Sequence, residues 1–283
     1  MKNILHPENG HTWQWKFGKV FYRKEGTGEK NLLLVHAANP CSSGYEWNFL
    51  AARLRSEYTI YTIDLCGCGR SDKPALTYTH YFYTLLIRDF IKDVIKSPCD
   101  IAASGNASLF AVSAARESDI EVTGLYLIPN QDLSVTDHTP DNHSRFVRFI
   151  LGTPILGSTV YHFFTSKQNI AFRLEEKTYF NPFHLKATVK DAMYEAAHRG
   201  QTRGRYLLGS LLGNYLNLPA EPLFRNLDVP VTVLIGQEAL HRQDILRSYK
   251  AACPEAVITA IPKSGGMPHL ENPSDTASVF LGL

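Results

Sequence analysis

The chain has 283 residues, of which 44% are hydrophobic and 20% are charged. This composition is typical of a folded globular protein with a full core, and it excludes a disordered, collagen-like or coiled-coil chain. The 29 basic and 27 acidic residues nearly balance. The overall charge therefore gives no indication of nucleic acid or an anionic membrane as the main partner.

Cysteine content and the N-terminal sequence bear on the compartment. Five cysteines, an odd number, do not indicate a disulfide framework. We therefore expect free thiols and a cytoplasmic protein. Residues 1–15 contain no apolar run of the kind that a signal peptide needs. The most apolar long stretch, residues 146–164, is interrupted by arginine, glycine, proline and histidine, so no membrane span is expected.

Strand and helix patterns alternate along the chain. An alternating segment at residues 12–22, with a turn at Gly18-Lys19, predicts a hairpin at a sheet edge. Apolar or β-rich runs predict strands at 31–36, 58–65, 99–104, 122–129, 229–235 and 256–262. Helical patterns fall at 47–56, 81–96, 109–117, 244–253 and 274–283. With the hairpin counted as two strands, the alternation predicts an eight-stranded, mostly parallel sheet with helices on both faces.

A segment of about ninety residues between the sixth and seventh predicted strands breaks this alternation, and a connection so long indicates an inserted subdomain rather than a loop. It predicts helices at 142–151, 158–164, 187–197 and 205–216. We therefore predict a core domain from residues 1–130 and 223–283, and a helical subdomain at 131–222. The insert is rich in aromatic residues, some of which we expect to line an apolar cleft beside the sheet.

Three motifs carry a resemblance to a known family. The His36-Ala37-Ala38 turn follows the third strand, the segment DLCGCGRSDKP occupies residues 64–74, and PHLENP occupies residues 268–273. Together they resemble the α/β-hydrolase superfamily, in its cap-containing branch, over most of the chain. The resemblance implies an α/β-hydrolase fold, with a helical cap (lid) inserted after the sixth strand.

The same resemblance implies three catalytic positions, and each holds a residue without the required chemistry. The family nucleophile stands on a sharp strand–turn–helix elbow. Here Gly105-Asn106 precedes Ala107 at the predicted nucleophile position. The position of the acid reads Ala239, and the position of the histidine reads Gly266. This predicts a catalytically degenerate protein that binds a small apolar molecule or a protein partner.

Two enzymatic alternatives remain open at this point. The catalytic triad of an esterase-like hydrolase could be displaced to Ser104, Glu238 and His269, which lie close to the expected positions in the sequence. A non-hydrolytic catalyst could also use the same pocket.

The oxyanion hole of the family is built from backbone N–H groups, which do not depend on the loss of side chains. The expected donors are Ala37, Ala38 and Ser108. Two interpretations stay open: the donors still bind a carbonyl or carboxylate, or the pocket is vestigial.

Other polar clusters have simpler interpretations. The segment with Asp137, His138, Asp141 and His143 is polar, which favours a solvated loop over a metal site. Cys66 and Cys68 lie within the second motif and are more typical of turn thiols than of a redox pair. We predict no cofactor, no metal and no nucleic acid.

Overall fold

The computed structural model describes residues 4–5 and 10–283. The strands are β1 (Gly10–Trp15), β2 (Gly18–Glu25), β3 (Lys30–Val35), β4 (Tyr58–Ile63), β5 (Cys99–Ser104), β6 (Val122–Ile128), β7 (Val231–Gly236) and β8 (Val257–Ile261). In this part of the chain they form one eight-stranded sheet in the order β1-β2-β4-β3-β5-β6-β7-β8. β2 pairs antiparallel with β1 and β4, and all other neighbours are parallel. The predicted α/β architecture with an eight-stranded, mostly parallel sheet is confirmed.

Helices lie between the parallel strands and after the last one. They are α1 (Asn48–Leu54), α2 (His80–Phe90), α3 (Ala107–Ala114), α4 (Asn142–Gly152), α5 (Leu156–Phe164), α6 (Lys167–Arg173), α7 (Ala187–His198), α8 (Arg205–Leu212), α9 (Glu221–Phe224), α10 (Arg242–Ala252), α11 (Pro268–Glu271) and α12 (Pro273–Leu281). A 3₁₀ turn, Gly44–Trp47, precedes α1. None of the helices in the described residues is long and apolar enough to cross a membrane.

The core lies on both faces of the sheet. Alternate residues of β3 point in opposite directions, so Leu33 packs with helices α2, α3 and α10 while Leu34 packs with α1 and α12. All of β3 except its first two residues is buried. Burial on both faces explains why the sequence of this strand is a continuous apolar run rather than an alternating one.

Helices α4 to α8 lie within the long segment between β6 and β7 that breaks the strand–helix alternation, and α9 begins at its end. We call this segment, residues 131–222, the insert. Its helices α4, α5 and α8 pack on one another, and Leu151, Tyr161 and Leu208 form a small buried cluster there. The division into a core domain and a separate lid subdomain stays a prediction.

Candidate functional site

A cavity of about 400 Å³ lies where the carboxyl ends of the parallel strands meet the insert. The loops after the strands contribute Ala37, Ser104, Gly105, Asn130, Ala239, Leu240, Gly266, Met267 and His269. The insert contributes Ile170, Arg173, Leu174, Lys177, Thr178 and Met193. Open α/β sheets bind their ligands at this edge, because the loops that follow the strands converge there.

The sharp turn between β5 and α3 sits at the floor of the cavity, and its tip is Gly105. Gly105 has φ +55°, a left-handed conformation that glycine adopts without steric cost. A Cβ there would lie 3.0 Å from the Cβ of Ala37 and 3.4 Å from Nδ2 of Asn130. Ala107, the predicted elbow position, is instead the fully buried first residue of α3 and does not line the cavity. The elbow residue therefore lies two positions earlier than the sequence motif suggested.

Two members of the predicted displaced triad come together, but a different acid joins them. Ser104 Oγ donates a hydrogen bond to Glu46 Oε1. His269 Nε2 lies 3.4 Å from the same carboxylate oxygen. All three side chains are at least nine-tenths buried and line the cavity. Glu238 is exposed and absent from the lining, because its position after β7 points it to solvent.

This buried cluster contains polar atoms that the described chain leaves without partners. Glu46 Oε2 and both ring nitrogens of His269 are buried and make no hydrogen bond to the described residues. Buried polar atoms in folded proteins are rarely left in this state, because each loses its hydrogen bonds to water. The cluster is therefore a chemically distinctive part of the cavity wall.

The position of Glu46 is fixed by hydrogen bonds at the start of the 3₁₀ turn Gly44–Trp47 and by the packing of the neighbouring Trp47 ring. The Ser43 side chain caps the turn by accepting the N–H of Tyr45. The Gly44 N–H donates to Asp64 Oδ1 at 2.7 Å. The Trp47 ring stacks on the His269 ring with centroids 4.4 Å apart. These contacts join the turn after β3 to α11, the short helix that carries His269.

Asp64, which accepts the Gly44 N–H, connects this turn to the segment after β4. Its carboxylate also accepts the backbone N–H and the Nε–H of Arg70, at 2.8 and 3.0 Å. Burial alone would raise the pKa of the Asp64 carboxyl, but the nearby Arg70 guanidinium and these hydrogen bonds outweigh it and lower the pKa below its ordinary value. Asp64 is therefore an ionised, fully buried structural carboxylate.

The three expected oxyanion-hole donors are already engaged in internal hydrogen bonds. The Ala37 N–H donates to Ser104 Oγ at 3.1 Å, and the Ala38 N–H donates to the side-chain oxygen of Asn106 at 2.8 Å. The Ser108 N–H donates to the carbonyl of the elbow glycine at 3.2 Å. Two side chains thus occupy the loop donors, and the Ser108 N–H closes the turn. Because the tip of the turn is Gly105, the N–H that follows it belongs to Asn106 rather than to Ser108. An oxyanion hole at the three expected positions stays a prediction.

The insert places basic side chains on the opposite wall. The Arg173 guanidinium lies 4.2 Å from the centre of the Phe164 ring and donates to Cys41 Sγ at 3.5 Å. Among the described residues, neither Arg173 nor Lys177 has a carboxylate within ion-pair distance. Burial raises the pKa of the Cys41 thiol despite the nearby guanidinium, so this cavity thiol is protonated and is a weak nucleophile.

The remaining polar candidates are structural. Within the ranges that the structure covers, no group of three or more His, Cys, Asp or Glu side chains could hold a metal ion. Asp141 caps α4 by accepting the Ser144 N–H at 2.8 Å. Cys66 and Cys68 are buried, and burial raises the pKa of Cys66 to about 12.

Sequence reasoning missed Glu46, although one signal was available. Glu46 is the only acidic residue between Asn31 and Ser56. It lies in a segment that folds into buried strand, turn and helix, where an isolated carboxylate is costly unless it has a partner or a function.

Comparisons with known proteins agree with this architecture. The family model described as "Alpha/beta hydrolase family" matches residues 32–279. No curated protein matches the chain.

Solved structures with the same fold cover almost all of the chain. Cfl2 from Burkholderia cenocepacia has a TM-score of 0.79 and 16% identity, covering 96% of this chain and 94% of its own. The carboxylesterase CesB from Bacillus subtilis has a TM-score of 0.69 and 14% identity, covering 98% and 92%. A thermophilic esterase from Thermogutta terrifontis has a TM-score of 0.74 and 16% identity, covering 97% of each chain. At such low identity the likeness shows the fold alone.

Proposed function

The chain belongs to the alpha/beta hydrolase family, and we propose that it binds a small, mostly apolar ligand and does not hydrolyse it through an elbow nucleophile. The observation that carries this proposal is Gly105. The tip of the turn, where the family places its nucleophile, has no side chain, and a cavity of about 400 Å³ lies above it.

Two further features support a degenerate catalytic site. Ala239 and Gly266, at the positions of the acid and the histidine, line the cavity but supply no titratable group. The oxyanion-hole donors at Ala37 and Ala38 are taken up by side chains of the protein itself. A substrate carbonyl would have to displace these hydrogen bonds before it could be polarised.

The lining of the cavity indicates the ligand's character. Apolar side chains form much of the cavity wall, with Ile170, Leu174 and Met193 from the insert and Leu240 and Met267 from the segments after the strands. Polar atoms come from the Ser104–Glu46–His269 cluster on the sheet side and from Arg173 and Lys177 on the insert side. We therefore expect an apolar body with at least one polar group. A cavity of this size suits a small molecule better than a protein segment.

The first test is ligand-induced stabilisation of the purified protein. A screen of fatty acids, esters and aromatic carboxylic acids should raise the melting temperature, because binding to the native state alone adds about 2.7 kcal/mol at a hundredfold excess over Kd. Ala239→Phe should fill the cavity and remove the shift. Leu218→Phe, at a position outside the lining, should retain it. If no compound stabilises the wild-type protein, the proposal fails.

A second candidate is an enzyme that uses the Ser104–Glu46–His269 cluster, and the hydrogen bond from Ser104 to a buried carboxylate favours it. Against it, Ser104 Oγ also accepts the Ala37 N–H, and the residue Ser104 is only 4% exposed, so the hydroxyl is poorly placed to attack a substrate.

We expect the wild-type protein to remain unlabelled by a fluorophosphonate probe and to show no burst with p-nitrophenyl acetate. Without a working triad, the oxyanion hole and binding alone leave at most about 10³- to 10⁴-fold catalysis over water. Labelling of Ser104, located by mass spectrometry and lost in Ser104→Ala and Glu46→Gln, would establish the second candidate instead. Turnover that needs Glu46 but leaves Ser104 unlabelled would indicate a non-hydrolytic or non-covalent catalyst.

A further inference from the structure

The outer face of helices α4 and α5 carries large apolar side chains that face solvent. We call this surface the α4–α5 face. Its exposed apolar residues, together with one from the adjoining α6, are Phe146, Phe149, Ile155, Leu156, Phe163 and Phe172. Each is at least half exposed. The two helices pack against each other, so these side chains belong to one region of the surface. Clusters of this kind on soluble proteins mark interaction sites.

The fold itself does not need this face. The opposite side of α4 and α5 is the side that packs inward, through Leu151 and Tyr161 against Leu208. Ser144 and Asp141 form a capping box that secures the first turn of α4. Substitutions on the outer face should therefore leave the fold intact.

The local charge differs sharply from that of the whole chain. Residues 142–174 contain no aspartate or glutamate. Arg145, Arg148 and Lys167 lie among the aromatic residues and are exposed. This surface thus mixes apolar and cationic side chains, and the nearest acidic residues in the sequence are Asp141, which caps α4, and Glu175 and Glu176 just after the segment.

We propose that the α4–α5 face docks onto the surface of an anionic lipid bilayer. Short helices with exposed aromatic and aliphatic side chains can lie in the plane of the interface, with their apolar groups between the lipid headgroups. Arginine and lysine beside them are attracted to the negative surface of anionic lipids. The helices are too short to span the bilayer, so the contact is peripheral.

A groove beside the α4–α5 face also combines apolar side chains with a cationic one. It has a volume of about 290 Å³, and its lining includes Ala75, Leu76, Phe149 and Tyr206 as well as Arg148. Apolar walls next to a guanidinium suit part of an acyl chain and the phosphate of the same lipid molecule.

A second copy of the chain fits the face less well. In a twofold symmetric dimer the same patch meets itself. That arrangement would bring together two surfaces that both carry Arg145, Arg148 and Lys167, and residues 142–174 supply no acidic side chain to pair with them. Lipid phosphates supply the countercharge that a second copy lacks.

The test is co-sedimentation of the full chain with vesicles of pure phosphatidylcholine and with vesicles in which roughly one third of the lipid is phosphatidylglycerol. We expect binding to the anionic vesicles that weakens with added salt. Phe146→Ser with Phe149→Ser should lower the partition coefficient about tenfold or more, since both side chains lose burial in the lipid. Arg145→Gln and Arg148→Gln should each lower it about fivefold. Tyr81→Ser, at an exposed aromatic on α2, is the matched control and should change nothing.

Each variant should melt at the wild-type temperature, which separates loss of binding from loss of folding. Absence of binding to anionic vesicles, or equal binding to both kinds, would overturn the proposal. So would self-association in analytical ultracentrifugation that the two phenylalanine substitutions abolish, since the face would then be a contact between copies. The result is independent of the cavity, so it does not depend on the ligand screen.

Discussion

Replacing Asp64 by alanine is expected to lower the free energy of unfolding by about 3 kcal/mol or more, because removing one partner of a buried ion pair leaves the other charge uncompensated. The carboxylate accepts hydrogen bonds from Gly44 and twice from Arg70, whose side chain is only 9% exposed. Urea unfolding at neutral pH measures the loss. Asp72→Ala is the matched control: Asp72 is exposed and accepts the Lys19 N–H at 2.8 Å, so its loss should cost about 1 kcal/mol or less.

The same residue gives a pH dependence with a definite sign. The pKa of Asp64 is lower in the folded protein than its ordinary value. Its contribution to stability is therefore complete above the unfolded pKa, about 3.9, and is lost as the pH falls through the folded pKa. The stability difference between the wild type and Asp64→Asn should stay constant from neutral pH to about pH 5 and shrink below about pH 4. A difference that shrinks already near neutral pH would contradict this assignment.

Asp64→Ala and Asp64→Asn should also affect the cavity wall that contains Glu46 and His269. Gly44, which Asp64 holds, begins the turn that carries Glu46 and Trp47. Loosening that turn should disturb the Trp47–His269 stack. A loss of near-ultraviolet circular dichroism before global unfolding would report this disturbance.

The sequence predicted the sheet well because the relevant signal is local. The predicted strand at residues 99–104 coincides with β5, and the strand predicted at 31–36 is shifted by one residue from β3. Both strands are almost wholly buried, and a continuous apolar run bounded by polar residues is enough to locate such a strand. The exposed edge strand β1 begins at Gly10, two residues before the predicted segment, because few of its side chains are buried.

The site was harder to predict because its decisive features are not local. Gly105 is visible in the sequence, but the Gly-Asn motif placed the elbow at Ala107, and only the backbone conformation identifies the tip of the turn. Glu46 meets Ser104 from 58 residues away in the sequence, through a loop that no motif pairs with the elbow. The Asn106 side chain accepts a hydrogen bond from the Ala38 N–H. This bond depends on the side-chain rotamer of Asn106, which a sequence pattern does not specify.

The second large effect is expected at Gly236, where β7 ends beside the loop that leads into α11 and His269. A Cβ at Gly236 would lie 1.9 Å from the carbonyl oxygen of Gly265 and 2.4 Å from that of Ser264. Both obstacles are backbone atoms, so no side-chain rotation can relieve the overlap. Gly236→Ala should therefore lower the free energy of unfolding by about 3 kcal/mol, near the upper end of the range for overpacked sites.

Gly152→Ala is the matched control, because a Cβ there meets nothing within 4 Å. Gly152 ends helix α4, where alanine loses less backbone entropy than glycine on folding, so stability should stay the same or rise by a few tenths of a kcal/mol. Urea unfolding of the two variants gives the comparison. To accommodate the new methyl group, Gly236→Ala must push the 264–269 loop away from β7, and with it the wall formed by Gly266 and His269. A variant with wild-type stability and an unchanged ligand-induced shift would mean that this loop approaches the end of β7 less closely than the 1.9 Å overlap requires.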